Sequence, residues 1–240
     1  YLYDLATSQE TRITTDPATQ TAAQIKGNRI VWQDARHGNP DIYLYDLATS
    51  QETRITTDPA FQGTPHLDET QIVWLDAIGS SSDVYLYDLT TNQQTRLTTD
   101  PIVQTVPRVD GTRIVWVGTS DNGDANIYLY DLAAGQGTGT PLVIGLSQQR
   151  HPAVSGTRMI WEDDRNENPD LYWKPLPGGG EQPLVVAMGA QVNSAAWGDL
   201  TVWQDGRNGN DDLYGYDFRT NTELPVVVRA GDQRVPSMWG

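Results

Sequence analysis

Three observations in the 240-residue sequence predict an all-β fold built from repeated four-stranded units. A tryptophan following apolar or β-branched residues recurs at Trp32, Trp74, Trp116, Trp161 and Trp203, with spacings of 42, 42, 45 and 42. A tyrosine-rich motif starting at Tyr1, Tyr43, Tyr85, Tyr128, Tyr172 and Tyr214 keeps step with it. The eighteen residues from Tyr1 to Ala18 return letter for letter from Tyr43 to Ala60. A period of about 42 residues with four strands per unit is that of a β-propeller, whose blades stack face against face.

Each unit divides in the same order. Between Phe61 and Thr99 the segments GTPHL, TQIVWLD, DVYLYDL and QTRLT are separated by turn clusters of Asp, Asn, Gly, Ser and Thr. Alternation in VYLYDL sets Val84 and Leu86 on one face and Tyr85, Tyr87 and Leu89 on the other, a strand covered on both sides. The blades are assigned to about 19–60, 61–102, 103–147, 148–189 and 190–230, with a split blade from 1–18 plus 231–240 in a single domain. The five repeated tryptophans are expected to pack between blades.

The stretch after the tryptophan carries a further pattern. QDARHGNPDIYLYDL (Gln33 to Leu47), EDDRNENPDLYWKPL (Glu162 to Leu176) and QDGRNGNDDLYGYDF (Gln204 to Phe218) resemble the TolB-type propeller repeat, as do the endings RITTDP and RLTTDP. Units two and three, with LDAIGSSSDVY and VGTSDNGDANIY, lack the loop arginine. In the first pattern Arg36 can reach the carboxylate of Asp34 or Asp41, a staple across the loop. The same roles fall to Asp163, Arg165 and Asp170, and to Asp205, Arg207 and Asp212. A calcium ion in these loops or in DNGDAN (Asp121 to Asn126) would need six to eight converging oxygens, and the spacing is not that of an EF-hand. No cofactor is expected, with calcium the one alternative.

The sixth blade is short of a strand. Pro236 aligns with Pro65, Pro107 and Pro152, so the C-terminal segment supplies a first strand. Tyr1 aligns with Tyr43, so the N-terminal segment supplies the third and fourth strands. Nothing aligns with the second. An open strand edge is a template for another strand, and three explanations compete: a fragment, closure with five blades, or a strand or half-blade supplied by a neighbouring molecule. The last would assemble copies head to tail into a filament. The candidate interface comprises Tyr1, Leu2, Tyr3, Leu5, Val235, Pro236, Met238 and Trp239.

The formal charge of -15 disfavours nucleic acid and anionic membrane surfaces, and no apolar run is long enough to span a bilayer. There is no cysteine, which excludes disulfides and thiolate chemistry. The chain starts at Tyr1 without an initiating methionine and is read as processed or as a fragment, which allows export. His37, His66 and His151 fall at different positions of their units: a loop, a first strand, and just before a first strand. No catalytic motif is present. The expected function is a non-enzymatic, extracellular or cell-surface interaction or assembly propeller, its partner itself or another surface protein. One alternative is a periplasmic partner-binding propeller with an extended peptide in its channel, as the TolB resemblance implies. Another is a carbohydrate-binding or carbohydrate-active propeller using Trp173 and Trp197.

Overall fold

The structure is a computed structural model and describes residues 1–79, 81–120, 122–135 and 139–238. A hairpin of β1 (Leu2–Asp4) and β2 (Gln9–Thr11) precedes five four-stranded blades. Blade one contains β3 (Gln20–Lys26), β4 (Arg29–Asp34), β5 (Asp41–Asp46) and β6 (Gln51–Arg54). Blade two contains β7 (Gln62–Leu67), β8 (Gln71–Ile78), β9 (Ser81–Asp88) and β10 (Gln93–Arg96). Blade three contains β11 (Val103–Asp110), β12 (Arg113–Thr119), β13 (Ala125–Asp131) and β14 (Thr140–Val143). Blade four contains β15 (Gln149–Ser155), β16 (Arg158–Asp163), β17 (Asp170–Pro175) and β18 (Gln182–Val185). Blade five contains β19 (Gln191–Trp197), β20 (Leu200–Asp205), β21 (Asp212–Asp217) and β22 (Thr222–Val227). All pairings are antiparallel between consecutive strands, so each blade is a simple meander.

The core lies between blades. The period-2 faces of β9 separate as the sequence predicts: Val84 and Leu86 join Val109, Ile114 and Trp116 of blade three, while Tyr85, Tyr87 and Leu89 pack with Val31, Ile42 and Leu44 of blade one. Each tryptophan stacks on the tyrosine opposite it on the next strand, with ring centroids 5.8 Å apart for Trp32 and Tyr43 and 5.7 Å for Trp74 and Tyr85. Every one of the five reaches into the interface with the preceding blade. For Trp32 the preceding element is the N-terminal hairpin, which contributes Leu2, with Ile13 from the segment just after it. The hairpin therefore stands where a sixth blade belongs.

The first strands surround the axis, and each carries a β-bulge. Registers shift at Thr21/Gln24, Gly63/His66, Thr105/Arg108, Arg150/Ala153 and Val192/Ala195. The bulge residues Ala22, Thr64, Val106, His151 and Asn193 have φ between 45° and 55°, which is uncommon without glycine. His151 thus lies on β15 rather than before it. Val235, 42 residues after Asn193, has φ 51° although it belongs to no sheet. The C-terminal segment has the backbone shape of a first strand and no second strand beside it.

Candidate functional site

The loop staples rest on residues from neighbouring strands. Arg36 donates to the buried Asp34 at 2.6 Å and to Glu52 on β6 at 2.6 Å, and its guanidinium lies 4.3 Å over the Tyr43 ring. Arg207 joins Asp205 and Glu223 at 2.7 Å each, 4.3 Å over Tyr214. Arg165 bridges Asp163 and Glu181 over Tyr172. Burial pushes Asp34 and Asp205 up, but bonds from the arginine, the adjacent tryptophan indole and the arginine amide outweigh it and hold both below the usual carboxylate range. Asp163 is held low in the same sense by Arg165 and Ser147. The alternative partner for Arg36, Asp41, is taken by Arg54 at 2.8 Å, because β6 brings Arg54 to Asp41 and Glu52 to Arg36. Asp170 and Asp212 are held by asparagines: Asn166 and Asn168, and Asn208 and Asn210. The glutamates were missed in the sequence, although each stands sixteen residues after its arginine.

The sixth-blade position is half built. The amide of Gln233 donates to the Asp211 carbonyl at 2.6 Å, as Gln62 does to Pro40 and Gln191 to Pro169. The amide of Val235 donates to Gln204, as that of Asn193 does to Glu162. Residues 233–238 are therefore docked on blade five as a first strand. A glutamine opens all six such segments, at 20, 62, 104, 149, 191 and 233, a signal the tryptophans overshadowed.

Between this segment and β1 no strand runs among the described residues. The duplicated sequence measures the consequence: Tyr43 is 3% exposed, whereas Tyr1 is 77% exposed. Tyr3 and Leu5 are also exposed, and Leu2 is half-buried. On the facing blade, Val202 and Leu213 are half-buried where Val31, Val73, Val115, Ile42, Val84 and Ile127 are fully buried. The opening thus lacks a second strand and its tryptophan. Val235 and Pro236 line the axial side with Met238, while Trp239 lies outside the described residues.

The axial channel encloses about 460 Å³ and is walled by the first strands of all five blades and by residues 235–238. The positions two past each bulge are Gln24, His66, Arg108, Ala153, Ala195 and Ser237. Burial pushes Arg108 down to about 10, and no carboxylate pairs with it among the described residues. Burial, then the charges of Arg108 and Lys26, push His66 down to about 3. Its Nδ1 accepts the Val109 amide at 3.3 Å, a tie between blades. His151 is raised by its bond to Glu162, 2.9 Å away.

Trp197 is exposed at the channel, but Trp173 packs edge-on against Phe218 at 5.0 Å, which removes it from a sugar platform. Among the described residues no group of three or more His, Cys, Asp or Glu is placed to share a metal ion. Asp121 of DNGDAN lies outside those residues. No described helix is long and apolar enough to cross a membrane.

The sequence matches no family model and no curated protein. Solved structures do match in shape. TolB from Acinetobacter baumannii superposes with a TM-score of 0.69 and 19% identity over 98% of this chain and 61% of the TolB chain. The fold is a TolB-type β-propeller. A protein assigned as TolB from Agrobacterium tumefaciens gives a TM-score of 0.67 at 15% identity, over 93% of this propeller and 86% of that chain. An oligogalacturonate lyase, solved with manganese, gives 0.71 at 17% identity over 98% and 74%. The propeller spans about three-fifths of the length of the Acinetobacter protein. The shared shape covers both TolB and a lyase, so function rests on this chain's own residues.

Proposed function

We propose that this propeller is a non-enzymatic interaction module, working outside the cell or on its surface, whose sixth blade is completed by an extended segment of another polypeptide. In the specific form of the proposal the other polypeptide is a neighbouring copy, and strand complementation of the incomplete blade joins copies head to tail into a filament. The carrying observation is that no described strand stands between β1 and residues 233–238, a position bordered by exposed Tyr1 and half-buried Leu213. Backbone pairing supplies affinity in such augmentation, and pockets for alternate side chains supply selectivity.

A contact of this kind is heterologous, so it polymerises where its rotation does not close. The test is light scattering across concentration with negative-stain microscopy of the same sample. Rods or concentration-dependent polymers are the expected result, and a monodisperse particle of 26.6 kDa overturns the filament.

A second reading has its own observation. The channel holds Arg108 without a carboxylate partner in a chain of charge -15, so an extended segment with an acidic side chain would find its counter-charge there. In that periplasmic alternative the channel binds the partner, and Arg108→Ala weakens capture while the oligomeric state is unchanged.

A further inference from the structure

The three staples share one geometry: a guanidinium clasped between a buried aspartate and the residue sixteen places on, above a tyrosine ring. Blade two retains only part of it. Asp76 stands at the place of Asp34, Tyr85 at that of Tyr43 and Gln94 at that of Glu52, but position 78 is isoleucine where the others have arginine. Blade three has lost the aspartate as well: Gly118 takes its place, and a Cβ there would meet the Tyr128 ring at 2.7 Å. Blade two alone keeps the carboxylate without its cation.

The remaining groups border a cavity of about 370 Å³ lined by Asp76, Gln94 and the 55–59 loop with Asp58. Asp76 is 6% exposed and no ion pair reaches it among the described residues; the Gln62 side chain and, more weakly, the charge of Arg96 favour its ionised form. Burial raises its pKa, and the Asp58 charge raises it further. Arg96 is engaged with Asp83, the counterpart of Asp41. The Trp74 indole Nε1 is buried without a hydrogen-bond partner among the described residues, although Trp32 and Trp203 each donate to the staple aspartate. A buried carboxylate and an acidic cavity meet where the same fold elsewhere holds a guanidinium.

We propose that the blade-two cavity is a binding site for a guanidinium group, presented as an arginine side chain by a partner chain, with Asp76 and Asp58 as counter-charges and Gln94 in the place of the staple glutamate. A planar fork fits a carboxylate better than a compact ammonium does.

The test is titration of the folded chain with N-ethylguanidinium, following the indole N–H resonances by NMR. The expected result is a saturable shift of the Trp74 resonance, with ethylammonium binding about tenfold more weakly. Asp76→Asn is expected to abolish the shift, and Ile78→Arg, which restores the repeat's own arginine, is expected to abolish it while raising Tm. A short peptide with a central arginine that binds more tightly than N-ethylguanidinium identifies a partner side chain as the source, and equal affinity identifies a free small cation. No saturable shift in the native chain, or the same shift in the Ile78→Arg variant, overturns the proposal.

Discussion

At the scale of single residues, the fold depends on placing charge inside a sheet protein and matching it there. Asp205 is wholly buried, and its carboxylate is offset by Arg207, whose side chain stays about a quarter exposed. Arg207→Ala strands that charge, and unfolding measurements are expected to show a loss of about 2–3 kcal/mol, less than for a fully buried pair because water reaches the site. Arg207→Lys should recover part of it, since a point charge cannot bridge Asp205 and Glu223 over Tyr214 as a fork does.

The pH response follows from the same carboxylates. Asp34, Asp163 and Asp205 have folded pKa values below their unfolded ones, so their stabilisation is present above the ordinary carboxylate range and is lost as pH falls through the folded values. Tm is expected to fall steeply below about pH 4, and less so in Asp205→Asn, whose neutral-pH Tm is already lower. Asp76 has the opposite sign: its folded pKa is raised, so its charge opposes folding at neutral pH. Asp76→Asn should raise Tm at pH 7, and that gain should shrink toward pH 4 as the native carboxyl takes up its proton.

At the scale of strands, the blade pattern was legible wherever a residue type is forced by packing. Tryptophan and tyrosine mark β4 and β5 because both faces of a blade are buried against neighbours, and a large flat side chain fills that spacing. The bulges were not legible. Ala22, Thr64, Val106, His151 and Asn193 share a left-handed backbone but no side-chain chemistry, and none is the glycine that would have announced it. The partners of the loop arginines were half legible, because the aspartate is two residues away and the glutamate lies on another strand.

The second-strand opening gives a direct prediction at this scale. A synthetic peptide with the sequence of residues 29–42, which supplies strand, tryptophan and loop in blade one, is expected to bind the chain one to one, raise its Tm and suppress the proposed self-association. Replacing the peptide's tryptophan by alanine should weaken it by about 3 kcal/mol. A chain that polymerises equally well with the peptide present excludes the opening as the joint.

At the scale of the whole molecule, closure depends on blade six. The described residues supply six first-strand segments, six third strands and six fourth strands, but five second strands. In the proposed filament, exchange between copies redistributes the described halves of the blade without adding a second strand to them.

The duplicated eighteen residues turn this into an internal reference. Away from the terminal ammonium group, stretches of identical sequence have the same intrinsic exchange chemistry, so the difference in amide deuteration between residues 4–18 and 46–60 reports their surroundings. In the isolated chain the first copy should exchange faster than the second, and its slowing toward the second is a clock for completion of the ring, readable without label or variant.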